Sequence, residues 1–131
     1  MLQNNLPILA IINTTLLEWD GKASHPWIIT VRISYDGTAT NGMPDKNTYD
    51  LMDKIEDELM SSFPTDIGYL NIGRETADNL REIYLACTEF RKSSRTVDQV
   101  IARYQTSLQI DYTIYKDKYW KSFERFNKQV D

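Results

Sequence analysis

Few side chains in this sequence could do chemistry on their own. His25 is the only histidine among 131 residues. Any Ser-His-Asp or Cys-His nucleophilic system would have to be built on it. A histidine-rich metal centre is excluded on the same count. His25 precedes Pro26 in a turn ahead of a strand, the setting of a surface histidine. Cys87 is the only cysteine, so an internal disulfide and a multi-cysteine metal site are both excluded. Late in a strand and on its core side, it reads as a buried, inert thiol. No catalytic residue, cofactor or metal ligand is assigned, and a protein that is not an enzyme is expected.

Charged residues offer more. Asp50, Asp53 and Asp57 fall on one flank of a helix. Such a row suits a hard cation or, better, a basic partner surface. The alternative is a solvated face laced by Lys46–Asp50, Asp50–Lys54 and Lys54–Glu58 pairs four residues apart. Arg74, Glu75, Arg81 and Glu82 flank a hairpin turn. They either steady the hairpin across its strands or form a charged rim that grips a partner or an anionic ligand. Gly68-Tyr-Leu-Asn-Ile-Gly73 carries glycines, but no helix follows it. A phosphate cradle needs a glycine loop that feeds a helix N-terminus. Glycines inside a strand mark a bulge or a close backbone approach instead.

The elements that must hold these groups are legible from periodicity. Leu6 to Thr15 reads as a strand buried on both faces. It lacks a basic flank in Met1 to Asn5 and a small-residue cleavage site before Leu16 and Leu17, so a secretory signal is not expected. It is also too short to span a bilayer. Trp27 to Tyr35 alternates, with Trp27, Ile29, Val31, Ile33 and Tyr35 on one face and Ile28, Thr30, Arg32 and Ser34 on the other. Pro44 suits the first turn of a helix, and Asp45 complements its positive end. Thr48, Leu51, Met52, Ile55, Leu59 and Phe63 then recur at helical spacing, until Pro64 forbids continuation.

Ile67 to Glu75 and Leu80 to Thr88 read as strands joined through Thr76-Ala-Asp-Asn79 as a hairpin. Leu70 and Ile72 are expected on the core side with Ile83, Leu85 and Cys87. Tyr69, Asn71, Glu75, Glu82 and Tyr84 then face away. A second helix is expected to start near Ser93 to Thr96, capped by the Thr96-Val-Asp-Gln99 box or by Ser94. Its stripe is Val97, Val100, Ile101 and Tyr104. Leu108 to Tyr115 alternates again, and a short third helix after Asp117 carries Trp120, Phe123 and Val130.

The order predicts an α+β fold. It is a ferredoxin-like βαββαβ core over about residues 27–116, with a mostly antiparallel sheet and two helices on one face. An extra N-terminal strand and a short C-terminal helix complete a single domain, 1–131. Each strand has one apolar face and each helix one apolar stripe, and they bury each other. Hydrophobic content of 41% and charged content of 26% are those of an ordinary globular protein. A net charge of −4 disfavours nucleic acid as a partner. No membrane partner is expected, and the cytoplasm is the expected location.

Taken in order, four features carry a resemblance. Asn41-Gly-Met-Pro-Asp45 precedes the acidic helix, Gly73-Arg74 closes a strand, Arg81-Glu82 opens the next, and Asp117 with Trp120 follows the last. On these the chain resembles domain-of-unknown-function family 695, small bacterial α+β proteins, over roughly Leu16 to Phe126. The resemblance implies a ferredoxin-like fold and brings no activity or cofactor with it. In outline the family is similar to ferredoxin-like regulators that bind and restrain ribonuclease E, a likeness of fold only.

The sheet face away from the helices is then expected to be open. It would hold Ile28, Thr30, Arg32, Tyr69, Asn71, Tyr84, Asp111, Thr113 and Tyr115. Tyrosines with an arginine have the composition of a recognition surface. Glu82 and Asp111 argue against stacking RNA bases there. A homodimer interface is one alternative, and burial beneath the first strand and the last helix is another. The expected function is a non-catalytic binding or regulatory role through contacts with a protein partner or a second copy. An inhibitor or immunity-type protein is the first alternative, its acidic helix meeting the basic active site of a nuclease or toxin. An enzyme or binder of a small anionic ligand, using Arg32, Arg74 or Arg81, is the second.

Overall fold

The computed structural model describes residues 2–3, 6–64 and 66–126. Its strands are β1 (Leu2–Gln3), β2 (Leu6–Ile12), β3 (Trp27–Ser34), β4 (Tyr69–Ala77), β5 (Leu80–Cys87) and β6 (Gln109–Lys116). Its α-helices are α1 (Thr14–Leu17), α2 (Lys46–Ser62) and α3 (Arg91–Tyr104), and short 3-10 turns lie between. The fold is α+β. Five strands form an antiparallel sheet in the order β2-β4-β5-β3-β6, and the two-residue β1 pairs with the outer side of β2 at Pro7 and Leu6. No helix among the described residues is long and apolar enough to cross a membrane.

Local chemistry sets these boundaries. Asp45 caps α2 by accepting the Thr48 N–H at 2.8 Å. Pro44 therefore stands just before the cap rather than in the first turn. The helix stops at Ser62, and Phe63 is already extended ahead of Pro64. The β4–β5 turn is tighter than expected, with only Asp78 and Asn79 between the strands, at φ 50° and 68°. Left-handed geometry at both positions suits the twist of a two-residue hairpin. Helix α3 begins at Arg91, ahead of the expected start. The Glu89 carboxylate accepts the N–H groups of Lys92 and Ser93 and supplies the cap. Thr96 lies inside the helix, its hydroxyl donating to the Lys92 carbonyl at 2.9 Å.

Two apolar layers sandwich the sheet. On one face Ile29, Val31, Ile33, Ile83, Leu85 and Cys87 meet Met52, Ile55 and Leu59 of α2 and Val97, Val100 and Ile101 of α3. Each large aliphatic side chain buried there contributes about 1.5–3 kcal/mol. On the other face Ile28, Ile72, Tyr84 and Ala86 meet Leu17, Trp120, Phe123 and Phe126. The face expected to be open is therefore covered by the chain itself. After β6 the chain reverses sharply. Asp117 accepts the N–H groups of Lys121 and Ser122, both at 2.9 Å, and Trp120 takes a left-handed φ of 55°. The Trp120 indole N–H donates to the His25 carbonyl at 2.9 Å, which fixes the ring over the sheet. A 3-10 turn at Lys121–Phe123 replaces the start of the expected third helix. Val130 lies outside the described residues.

Two further expectations are corrected. A bulge between Asn71 and Gly73 inverts the alternation of β4. Tyr69 and Asn71 sit opposite Cys87 and Leu85, on the α2 side, and Leu70 and Ile72 join the second layer. A straight strand counted back from Glu75 gives the opposite assignment. Gly73 makes the bulge possible: at φ 149°, a Cβ there would stand 2.3 Å from the Ile11 carbonyl oxygen of β2. Strand β2, expected to be buried on both faces, lies at the edge of the sheet. Leu9 and Ile11 remain 38% and 46% exposed.

Candidate functional site

Of the charged residues around the hairpin, Arg74 and Arg81 turn inward to a network beneath α2, while Glu75 and Glu82 lie on the other face of the sheet. The Arg81 side chain has no exposed surface and donates from Nη1 to Asp53 Oδ1 at 2.8 Å. Its Nε donates to Thr76 Oγ1 at 2.9 Å, and its guanidinium lies 4.8 Å from the centre of the Tyr49 ring. Arg74 donates to Glu56 Oε2 at 3.2 Å and lies 3.6 Å from Asp53. Burial works against the Arg74 charge, but the carboxylates of Glu56 and Asp53 outweigh it and hold its pKa above the ordinary arginine value. Two cations thus meet two carboxylates. The cluster has no surplus positive charge to draw an anion, and it fastens α2 to the β4–β5 hairpin.

This network breaks up the acidic row. Asp53 turns in to the arginines, Asp50 pairs with Lys46 at 2.9 Å, and Asp57 stays exposed. Glu58 receives the Tyr104 hydroxyl and Arg103 from α3, and these hydrogen bonds lower its pKa. Among the described residues no cluster of three or more His, Cys, Asp or Glu side chains could hold a metal ion.

The residues expected on the open face are scattered. Tyr84 is 3% exposed, and its hydroxyl donates to Glu75 Oε1 at 2.5 Å. Arg125 Nη2 reaches that carboxylate at 2.7 Å. Burial first, then the Glu75 carboxylate, push the Tyr84 phenol far above its usual range. Tyr115 is half-exposed with its hydroxyl 2.9 Å from Ser122 Oγ. Arg32 is exposed, in register between Glu82 and Asp111. Tyr69 stacks on Phe63 with ring centres 4.9 Å apart, on the helix side. His25 is partly buried rather than a free surface group. Its ring lies 5.5 Å from that of Trp19, and burial lowers its pKa. Cys87 is fully buried, and burial pushes its thiol up to about 11, which leaves it unreactive.

The surface the sequence reading missed is the edge of β2. Beyond Pro7 no strand among the described residues pairs with its outer side. Asn13 donates its N–H to the Ile72 carbonyl of β4 at 2.8 Å. By alternation, the N–H and C=O groups of Leu9 and Ile11 also face β4. Those of Ile8, Ala10 and Ile12 point outward. The side chains of Leu9 and Ile11 lie in register with Thr76 and Arg74, on the α2 side. Beside them a cleft of about 270 Å³ opens between β2 and α2, lined by Ile11, Ile12, Gly73, Arg74 and Glu56. No local signal revealed the edge, because Leu6 to Ile12 contains no charged residue. Natural edge strands are usually guarded by charge.

Fold and site together define an antiparallel α+β domain in which Arg74 and Arg81 pair inward beneath α2 and, among the described residues, the uncharged outer edge of β2 is left open beyond Pro7. A model of a family of unknown function, DUF695, matches residues 2–126, and the chain belongs to that family. No curated protein matches it.

Proposed function

We propose that this chain is a non-catalytic binding domain acting through protein–protein contacts, and that it binds along the β2 edge. One observation carries this. The stretch Ile8–Ile12 is uncharged, is paired on its outer side by no strand among the described residues, and exposes Leu9 and Ile11 by 38% and 46%. An extended segment added there gains main-chain hydrogen bonds, and neighbouring clefts take its alternate side chains. The cleft beside Gly73 and Ile11 is placed to do so. The anionic-ligand alternative draws little support, because Arg74 and Arg81 already face Glu56 and Asp53. The inhibitor alternative loses Asp53 from its acidic row. The order β4-β5-β3-β6, with the long helices on one face, supports a ferredoxin-like core to which β2 is added. A cytoplasmic setting belongs to the same reading, and the free thiol of Cys87 fits it.

The test is site-specific photo-crosslinking in cells of the native host, with benzoylphenylalanine at Leu9, Asp57 or Tyr115 in turn. A discrete adduct is expected from Leu9 and none from the other two. Ala10→Pro in the same molecule should abolish it, since that N–H points outward and a proline there blocks strand addition without touching the β2–β4 ladder. Adducts from Asp57 or Tyr115 with none from Leu9 would overturn the proposal.

A further inference from the structure

We infer that the occupant of the β2 edge is a second copy of this chain, paired antiparallel about a twofold axis at Ala10. This rests on the proposal that the edge is a binding surface, and it names the partner. The open window is bounded at both ends. Strand β1 takes the outer side at Leu6 and Pro7, and at Asn13 the chain turns into α1. What remains, Ile8 to Ile12, is centred on Ala10.

An antiparallel neighbour must match outward-pointing residues with outward-pointing residues. Centring on Ala10 does this for the whole window. Ile8 meets Ile12 of the second copy, Ala10 meets Ala10, and every outward N–H and C=O finds a mate. A shift in either direction runs the second copy into β1 or α1. Leu9 then stands opposite Ile11 twice, in non-hydrogen-bonded pairs, where side chains approach closest. These are the two large apolar side chains that β2 exposes among the described residues. The segment is also neutral, so two chains of net charge −4 meet where neither carries charge. The two five-stranded sheets become one.

Sedimentation velocity over a concentration series tests this, and the expected result is a reversible shift to twice the chain mass. Ala10→Pro should hold the protein monomeric throughout. Leu9→Lys and Ile11→Glu should each weaken the dimer. The double variant should restore it, because each lysine would then face the glutamate of the other copy, and the restored dimer should weaken with added salt. Under mild oxidation, Ala10→Cys should form a covalent dimer, since paired Cα atoms about 5.5 Å apart lie within disulfide reach. Ile8→Cys should not, its mate being Ile12. Circular dichroism confirms that each variant folds. A monomer at every concentration, or a dimer indifferent to Ala10→Pro, would overturn the inference. If the monomer still gives a Leu9 photo-adduct with another protein, the edge remains the binding surface and only the second copy is refuted. If the adduct is also absent, both fall.

Discussion

Two regions of this molecule lie side by side and treat polarity in opposite ways. Beneath α2, Arg74 and Arg81 are closed in by Asp53, Glu56, Thr76 and Tyr49. A few residues away, β2 carries no charge at all, and beyond Pro7 no strand among the described residues pairs with its outer edge. Charged residues draw the eye in a sequence as candidates for binding. Here the charges hold the fold together, and the plain aliphatic run is the exposed surface. Ion pairs buried this well are poor recognition elements, because a ligand must first compete with the internal partner. The outer edge of Ile8 to Ile12 has no strand partner to displace among the described residues.

The sharpest way to break the comparison is to unbalance the network. Asp53→Ala leaves the guanidinium of Arg81, which has no exposed surface, without its carboxylate. Removing one partner of a buried pair costs about 3–5 kcal/mol. The lower end applies, since the Asp53 side chain is 37% exposed and water offsets part of the loss. Urea denaturation should show the midpoint fall. The double variant Asp53→Leu with Arg81→Met should recover most of the stability, as apolar replacements of buried pairs often do. Neither should alter association at the β2 edge. A change in association would mean the two regions are one site.

Gly73 joins the regions, and its replacement comes next. Gly73→Ala puts a methyl 2.3 Å from the Ile11 carbonyl oxygen, at a φ of 149° that alanine rarely adopts. Strain of this kind costs on the order of 1–3 kcal/mol. Relief requires β2 to move away from β4, so hydrogen exchange should quicken at Leu9 and Ile11, whose amides face β4. The amides of β5 should stay protected. Uniform loss of protection across the sheet would show that β2 and the core unfold as one unit.

The sequence carried these regions unequally. Helix α2 and the order of the longer elements were readable because the charge at Asp45, the Met52–Ile55–Leu59 stripe and the stop at Pro64 agreed. The free edge of β2 was not, since an aliphatic run looks the same in a central strand as at an edge; only strand pairing tells them apart. A bulge at the β4 glycines was anticipated, but the exchange of faces it causes was not. Alternation counts residues, and one extra residue at Ile72 exchanges the faces of all that precede it. The cover over the second face depends on the turn at Asp117 and the left-handed Trp120, a long-range return that no local window contains. Of the candidate site, the glycine approach at Gly73 was legible, and the inward turn of Arg81 and Asp53 was not.

That cover supplies a prediction of smaller size. Burial raises the Asp117 carboxyl, but its hydrogen bonds from Ser122 and Lys121 outweigh this and lower its pKa below the ordinary aspartate value. A lowered carboxylate stabilises the fold at pH above its unfolded value, about 4, and the contribution is lost as pH falls through the folded value. Acidification should therefore loosen the turn that seats Trp120, Phe123 and Phe126 while the α2–α3 layer stays intact. Tryptophan fluorescence should change before far-ultraviolet circular dichroism does. Asp117→Asn should show that loosened fluorescence already at neutral pH and lose its acid dependence. A wild-type transition in which both signals move together would make the two layers a single cooperative unit.

The smallest effect on stability should come from a residue whose side chain serves binding. Ile11→Ser removes a side chain that is 46% exposed on an edge strand, so the melting midpoint should hardly move. Surface substitutions of this kind stay within about 0.5 kcal/mol. Yet Ile11 lines the cleft on the α2 face and would stand opposite Leu9 of an added copy. Association should weaken clearly while stability holds. Asp53→Ala is expected to do the reverse, and the pair of variants separates a surface kept for contact from a network kept for the fold. If Ile11→Ser instead destabilises the monomer by an amount comparable to Asp53→Ala, the side chain is covered within a single chain, and the β2 edge has no claim to a partner.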